Sequence, residues 1–345
     1  MSKKVLVVGS NVRNVASSAR RAGYEVLAVA RFVDSDLKIY CKEVHRFSSL
    51  KEAKEIAEEL AERENAKVIL TSSCETLKVK AELLCNDPKV SEKVCDKLNF
   101  YRTLEKAGIP YPELGDFGEN TIMKPRIGGG GEEVRLGNED RNGFIKQRFI
   151  DGIPCSVSLI VGREITPIAV NKMIVGWKEL NAKGFRYAGN ITPLDVSNEV
   201  RKEIEKIAIE TVSLFDLLGS VGVDFILAEK PYVLEINPRF QGSLDTVEWS
   251  CDVNLFKMHV MAFEGKKVEK PKLKRVAIRA ILFSPERVKV LDDLSGNPFY
   301  ADIPNRGDVY EKDDPLVSIL ATKLEEVIRR KEIFMKYLSP IKQNL

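Results

Sequence analysis

Three short apolar runs, KKVLVVGS (3–10), YEVLAVA (24–30) and AKVILTSS (66–73), constrain the fold more than any other feature of this chain. None alternates polar with apolar residues, as a strand with one wet face would. Unbroken apolar runs of this length belong to strands buried on both faces. Between them lie helical patterns. One runs to about Arg21 and stops at Gly23; the other, KEAKEIAEELAERE (51–64), carries Ala53, Ile56, Ala57, Leu60 and Ala61 at helical spacing. Strand and helix in alternation dictate a parallel sheet, because parallel strands need a crossover segment between them. Gly9 opens the first strand-to-helix turn, but the sequence there, GSNVRN, lacks G-x-G-x-x-G. Gly9 therefore reads as a residue of turn geometry rather than of dinucleotide binding.

The expected organisation has three parts: a small Rossmann-like α/β domain over residues 1–88, a second domain over 89–268 with a small central subdomain at about 111–150, and a strand-rich C-terminal segment over 269–345 ending in a helix. The stretch SEKVCDKLNFYRTLEKAGIPYPEL (91–114) reads as a helix closed by Gly108, with Pro110 and Pro112 marking a hinge. Strands then predominate to about Gly265, interrupted by one long helix expected from Glu199 to Leu218. That helix has Ile204, Ile207, Thr211, Leu214 and Leu218 on one face and Gly219 past its end. The remainder alternates short strands with the turns LSGNP and IPNRGD and finishes in the charged helix LEEVIRRKEIF.

At 345 residues, 44% hydrophobic and 30% charged, the chain can bury a large core. A net charge of +3 is too mild to argue for nucleic acid or a membrane surface. No run approaches the roughly 18 apolar residues of a membrane span. The N-terminus enters a strand without the apolar region of a signal peptide. Six cysteines without C-x-x-C spacing suggest buried thiols in a reducing compartment. The expectation is a soluble cytoplasmic protein with small-molecule partners, and a homo-oligomer stays open.

Two stretches carry the chemistry. In TIMKPRIGGGGEEVRL (121–136), Lys124 precedes four glycines, Gly128, Gly129, Gly130 and Gly131. A P-loop would need GK[ST] after the glycines and a helix behind them. Here EEVRL reads as a strand, so the glycines form the tip of a β-hairpin. Their freedom at positive φ lets backbone N–H groups close over an anion, with Lys124 as a fixed positive charge. The plainer reading is a flexible hairpin with a surface lysine. In GVDFILAEKPYVLEINPRF (222–240), two strands flank a turn near Glu229-Lys230. A tight turn sets Asp224 opposite Glu235, with Asn237 on the same face. Opposed carboxylates weaken a hairpin unless a cation lies between them, and oxygen ligands of this kind suit Mg²⁺ or Mn²⁺.

The order DKL…GIPYPE, IMKPRIGGGG, IKQRFIDG, VGVDFIL and LEINPRFQGS resembles the ATP-grasp superfamily along nearly the whole chain, nearest its biotin carboxylase and purine carboxylase branch. The resemblance implies that Lys97 and Lys124 hold ATP phosphates beneath a glycine lid. It implies that the segment Lys146, Gln147, Arg148, Phe149 and Ile150 presents backbone to the adenine edge, leaving open which side chain reads that base. It assigns Mg²⁺ to Asp224, Glu235 and Asn237, and an anionic intermediate to Arg239, where a bidentate cation serves better than lysine. The implied reaction is activation of a carboxylate as an acyl phosphate for attack by an amine, with ADP and phosphate released. A carboxylase using bicarbonate and a nucleotide-binding regulatory protein are the alternatives. The loop NKMIVGWKELNAKGFRYAGNITPL (171–194), with Lys172, Lys178, Lys183 and Arg186 among Trp177, Phe185 and Tyr187, either covers an anionic substrate or is a solvated basic loop. His45 and His259 lie outside every motif and read as structural.

Overall fold

The three apolar runs form parallel strands. In the computed structural model, which describes residues 3–131 and 133–341, β1 (Lys4–Gly9), β2 (Glu25–Ala30), β3 (Glu43–Arg46) and β4 (Lys67–Leu70) pair in the order β3-β2-β1-β4. Val5 to Val8 are wholly buried, as a doubly covered strand requires. Helices α1 (Arg13–Arg21), α2 (Leu37–Tyr40) and α3 (Leu50–Glu64) complete this unit. The edge strand β3 escaped the sequence reading because EVHR is short and only half-buried, with no apolar run to announce it. A Cβ on Gly9 would lie 2.5 Å from the Thr71 carbonyl oxygen, so this glycine serves the close approach of β1 to the end of β4.

The helix expected after Pro88 is two helices, α4 (Pro88–Cys95) and α5 (Lys97–Ala107). Asp96 between them adopts an extended backbone and accepts hydrogen bonds from the N–H groups of Leu98 and Asn99, an N-cap inside what looked like one periodic run. The break makes Lys97 the first residue of α5, and Gly108 closes that helix at φ +68°. A small sheet follows, β5 (Thr121–Pro125), β6 (Arg135–Leu136) and β7 (Phe144–Arg148), in the order β6-β5-β7.

The remaining strands are β8 (Ile153–Val161), β9 (Ile165–Val175), β10 (Tyr187–Thr192), β11 (Gly219–Leu227), β12 (Pro231–Asn237), β13 (Ala277–Phe283), β14 (Val288–Val290), β15 (Tyr300–Ala301), β16 (Val309–Tyr310), β17 (Pro315–Ala321) and β18 (Leu338–Pro340). Eight of them make one antiparallel sheet, β12-β11-β8-β9-β10-β13-β17-β15, so the C-terminal segment extends the central sheet rather than standing beside it. Helix α6 (Asn198–Ser213) covers one face; α7 (Leu244–Cys251) and α8 (Leu255–Phe263) lie on the other, and α9 (Leu324–Met335) packs on β17. One apolar cluster runs from β1 and β4 into α7 and α8, through Val247, Leu255 and Phe256. No described helix is long and apolar enough to cross a membrane.

Helix α6 stops five residues short of the expected end. The Leu218 N–H, which a longer helix would keep, donates to Asn86 Oδ1 at 2.7 Å. Gly219 then starts β11 at φ +78° instead of capping the helix, and any Cβ there would overlap the imidazole of His259. His259 is indeed structural: its Nδ1 accepts the Ser220 N–H at 2.8 Å, its Nε2 lies 2.9 Å from the Leu84 carbonyl, and burial lowers its pKa to about 4. Gly219→Ala should therefore destabilise the fold by roughly 2–4 kcal/mol, combining positive φ with overpacking. Gly23→Ala, also at positive φ but with nothing within 4 Å of its Cβ, should cost only about 1 kcal/mol. Urea denaturation of the two variants checks the difference.

Candidate functional site

The small sheet and the large sheet enclose a cavity of about 470 Å³. At one end stand Lys97, Lys124, Asp224, Glu235 and Asn237, with the glycine loop above them. The strand register accounts for the acidic pair: Asp224 lies directly opposite Glu235, and Gly222 opposite Asn237, with a bulge just after Asp224. Asp224 also faces Ser156 across β8, and Ser156 faces Asn171 across β9. A polar row thus crosses four strands of the large sheet.

Burial pushes the Asp224 carboxyl well above its ordinary range, and the neighbouring Glu235 carboxylate pushes it further; the Asn237 amide, donating to Asp224 Oδ2 at 3.1 Å, opposes. Lys97 sits 3.5 Å from Glu235 Oε2, and its Nζ donates to the Gly128 carbonyl. Far from being solvated, as a helical lysine usually is, it is buried. Lys124 is buried too. Its pKa falls to about 8 because burial disfavours the ammonium; Glu235 partly restores it and Lys97 works against it. Two cations on different elements therefore meet two carboxylates at one end of the cavity.

The glycines do form a hairpin tip. Strand β6 is only Arg135–Leu136, and Glu132, in the run expected to be a strand, lies outside the described residues. Gly128, Gly130 and Gly131 take φ of +132°, +72° and +73°, whereas Gly129 is not among the positive-φ residues. The loop touches the segment before β10: the Tyr187 N–H donates to the Gly130 carbonyl at 3.1 Å, and a Cβ on Gly131 would overlap the Phe185 carbonyl.

The segment from Lys146 to Ile150 divides in two. Lys146 points outward to Asp140 at 2.6 Å, and Gln147 is fully buried, its Nε2 donating to the Pro112 carbonyl at 2.8 Å. Both have their backbones paired with β5, and neither lines the cavity; Arg148, Phe149 and Ile150 do. The basic loop also departs from expectation. Lys183 pairs with Asp313 at 2.9 Å, while Arg186 donates to the Asp313 carbonyl and stacks 4.5 Å over Phe283. Lys172 and Lys178 are exposed. The loop turns its cations to solvent and the C-terminal segment and gives the cavity Phe185 and Tyr187.

Arg239 lines the cavity, and its Nε donates to Glu75 Oε1 at 2.6 Å. Glu75, Asn190 and Ser243, which the sequence did not single out, also belong to the site, and Tyr187 stood out there only as an aromatic of the basic loop. A faint signal existed only for the β8 pair, since Ser156 and Ser158 alternate within an apolar run, CSVSLIV. Gly131→Ala should part the glycine loop from the Phe185–Tyr187 segment, and Gly129→Ala should not. Hydrogen exchange of the Tyr187 amide, faster in the first variant and unchanged in the second, is the measurement.

Comparison with known proteins agrees with this architecture. A profile of the ATP-grasp domain matches residues 94–243, the span that carries Lys97, the glycine loop, both acidic strands and Arg239. An uncharacterized protein of Methanocaldococcus jannaschii is 30% identical over 92% of this chain and 88% of its own length. Tyramine–L-glutamate ligase of Methanocaldococcus fervens is 32% identical over 60% of this chain and 64% of that enzyme. Among solved structures, phosphoribosylamine–glycine ligase of Thermotoga maritima superposes with a TM-score of 0.75, covering 97% of each chain, and at 17% identity that likeness is one of fold. Motif order, sheet topology and sequence relatives converge on one conclusion: the chain belongs to the ATP-grasp family and is an enzyme of the ligase kind.

Proposed function

We propose that this ligase uses ATP to activate a small-molecule carboxylate as an acyl phosphate, which an amine then attacks. The carboxylate oxygen bonds to the γ-phosphorus as ADP leaves; the amine nitrogen bonds to the acyl carbon, loses a proton, and phosphate departs. The observation that carries this reading is the gathering of Lys97, Lys124 and the Asp224–Glu235 pair beneath the glycine loop at one end of the cavity. The relative that joins tyramine to L-glutamate supports a carboxylate and an amine as the substrates.

In this reading Lys97 and Lys124 hold the outer phosphates, and the loop of Gly128 to Gly131 closes over them. Phe149 and Ile150, which line the cavity, meet the base, while Lys146 and Gln147 only shape β7. Asp224, Glu235 and Asn237 hold Mg²⁺ or Mn²⁺. They fit such an ion because two carboxylates face each other across the strands and the Asn237 amide, donating through nitrogen, keeps its oxygen for a ligand bond. The ion supplies charge neutralisation at the transferred phosphoryl group. Lys124 and Arg239 act as the protein's own catalytic cations, Arg239 toward the anion formed on the acid.

The deciding experiment is nucleotide product analysis with MgATP and a panel of acids including L-glutamate, with tyramine and other amines. Bicarbonate is tested alone. ADP release requiring both an acid and an amine is the expected result. AMP with pyrophosphate would overturn the acyl-phosphate route, and ADP release on bicarbonate alone would identify a carboxylase.

Two further outcomes follow. Glu235→Gln should lower metal-dependent turnover at least about a hundredfold, the scale of losing several kcal/mol of charge stabilisation. A structural readout accompanies it. Because the Asp224 carboxyl has a raised pKa, the metal-free fold loses stability as pH climbs above the ordinary carboxylate range toward the raised value. At neutral pH, Asp224→Asn should therefore melt no lower than the parent, and millimolar Mn²⁺ should stabilise only the parent. Lys124 sets the second outcome. Its ammonium persists below about pH 8, so MgATP affinity should fall by up to about tenfold per pH unit above that point. AMP affinity should change far less, and titrations between pH 7 and 9.5 check both.

A further inference from the structure

The segment Pro238–Gly242 leaves β12, enters α7 and forms the wall of the cavity beyond the acidic pair. Besides the Leu244 N–H of α7, which donates to the Gln241 carbonyl at 3.2 Å, it is held from a distant part of the chain. The Pro238 carbonyl accepts from Asn86 Nδ2 at 2.9 Å, the Phe240 carbonyl from Thr71 Oγ1 at 3.5 Å, and the Gln241 carbonyl from Asn14 Nδ2 at 3.3 Å. All three donors belong to the first 88 residues: Asn14 in α1, Thr71 directly after β4 and Asn86 just before α4. Glu75 adds the one charged contact of this series, receiving Arg239 Nε at 2.6 Å. Its second oxygen, Oε2, is buried without a partner among the described residues.

A buried carboxylate oxygen left unpaired is costly, and a stable fold gains little by keeping one. An ion pair used only to join two units would be expected to satisfy both oxygens. What the contact does achieve is geometric. With Nε on Glu75 and Nη1 donating to the Phe240 carbonyl at 3.0 Å, the guanidinium plane is set on a residue that lines the cavity. An arginine free to rotate would lose about 2 kcal/mol of rotamer entropy on meeting an anion; one already clamped loses less.

We propose that Glu75 is a positioning residue: the first α/β unit, which lacks a dinucleotide fingerprint, serves through it to orient Arg239 toward the carboxylate substrate. This rests on the ligase reading given above for Arg239. The acid is thereby met by a cation whose direction is set from outside the matched ATP-grasp region, which begins at residue 94.

The test combines a direct readout with kinetics on the full-length chain. Arginine Nε–H NMR, with the Arg239 resonance assigned through Arg239→Lys, should show a slowly exchanging proton that is lost in Glu75→Ala and weakened in Glu75→Gln. In steady-state ADP release with L-glutamate, or the most active acid of the panel, Glu75→Ala should raise KM for the acid about tenfold, one charge-assisted contact's worth. KM for MgATP should stay unchanged, and Glu75→Gln should recover part of the loss. Adding Glu75→Ala to Arg239→Ala should make nothing worse, because Glu75 acts only through Arg239. An Arg239 Nε–H unmoved by Glu75→Gln, or losses that multiply in the double variant, would overturn the proposal. If Arg239→Ala leaves KM for every active acid unchanged, the ligase reading of Arg239 fails instead, and the NMR readout still decides the tether. Should Glu75→Ala not fold, Glu75→Gln carries both measurements.

Discussion

The opposed carboxylates Asp224 and Glu235 impose the condition that the rest of the site satisfies. Two acids facing each other inside a sheet cannot both stay ionised without positive charge beside them, and burial makes the demand sharper. The answer comes from two directions. Lys97 arrives on the first turn of α5, because Asp96 breaks the preceding helix and caps the next; Lys124 arrives on β5 from the small sheet. Burial, with the neighbouring Lys97 ammonium adding to it, is why Lys124 holds its proton less tightly than an ordinary lysine. The cluster is poised rather than relaxed, which is why we proposed a metal with a polyphosphate as its ligand.

A second set of buried charges gives the cavity its frame. Arg13 of α1 grips Asp245 of α7 with two hydrogen bonds, at 2.9 and 2.6 Å, and Asp302 at 3.0 Å, while Arg279 of β13 reaches Asp302 at 2.6 Å. Burial alone would raise the Asp302 carboxyl, but the two guanidinium groups override it and hold the acid well below its usual range. Three distant parts of the chain meet here. Arg279 also touches the Gly242 carbonyl at 3.3 Å, so this frame and the cavity wall are joined. A buried network of this sort costs desolvation and contributes fixed geometry when its partners are matched.

Much of the scaffold was readable in one dimension because it obeys local rules. Unbroken apolar runs became β1, β2 and β4, and Asp224 faces Glu235 as expected. The turn, however, pairs Leu227 with Pro231 and Phe225 with Val233, and it is the bulge after Asp224 that shifts the register by one to oppose the two acids. The misreadings share a cause. The α4–α5 break, the early end of α6 and the outward turn of Lys183 and Arg186 depend on partners that the local sequence does not contain: Asp96 competing as a cap, Asn86 capturing Leu218, and Asp313 drawing the loop's cations away.

What the sequence by itself determined is therefore the set of groups with local meaning: the strands, the glycine hairpin, the facing carboxylates, and the motif order that marks an ATP-grasp chain. Only the tertiary structure decided which of the charged side chains share a cavity. It buried Lys97 against Glu235, turned Lys146 outward, sealed Gln147 against Pro112, and brought Glu75 to Arg239 across 164 positions of chain. The physical reason is that a charge carries no signature of its eventual neighbour. Its environment is set by packing between elements far apart in sequence, and burial then decides whether it is a solvated ornament or a working group.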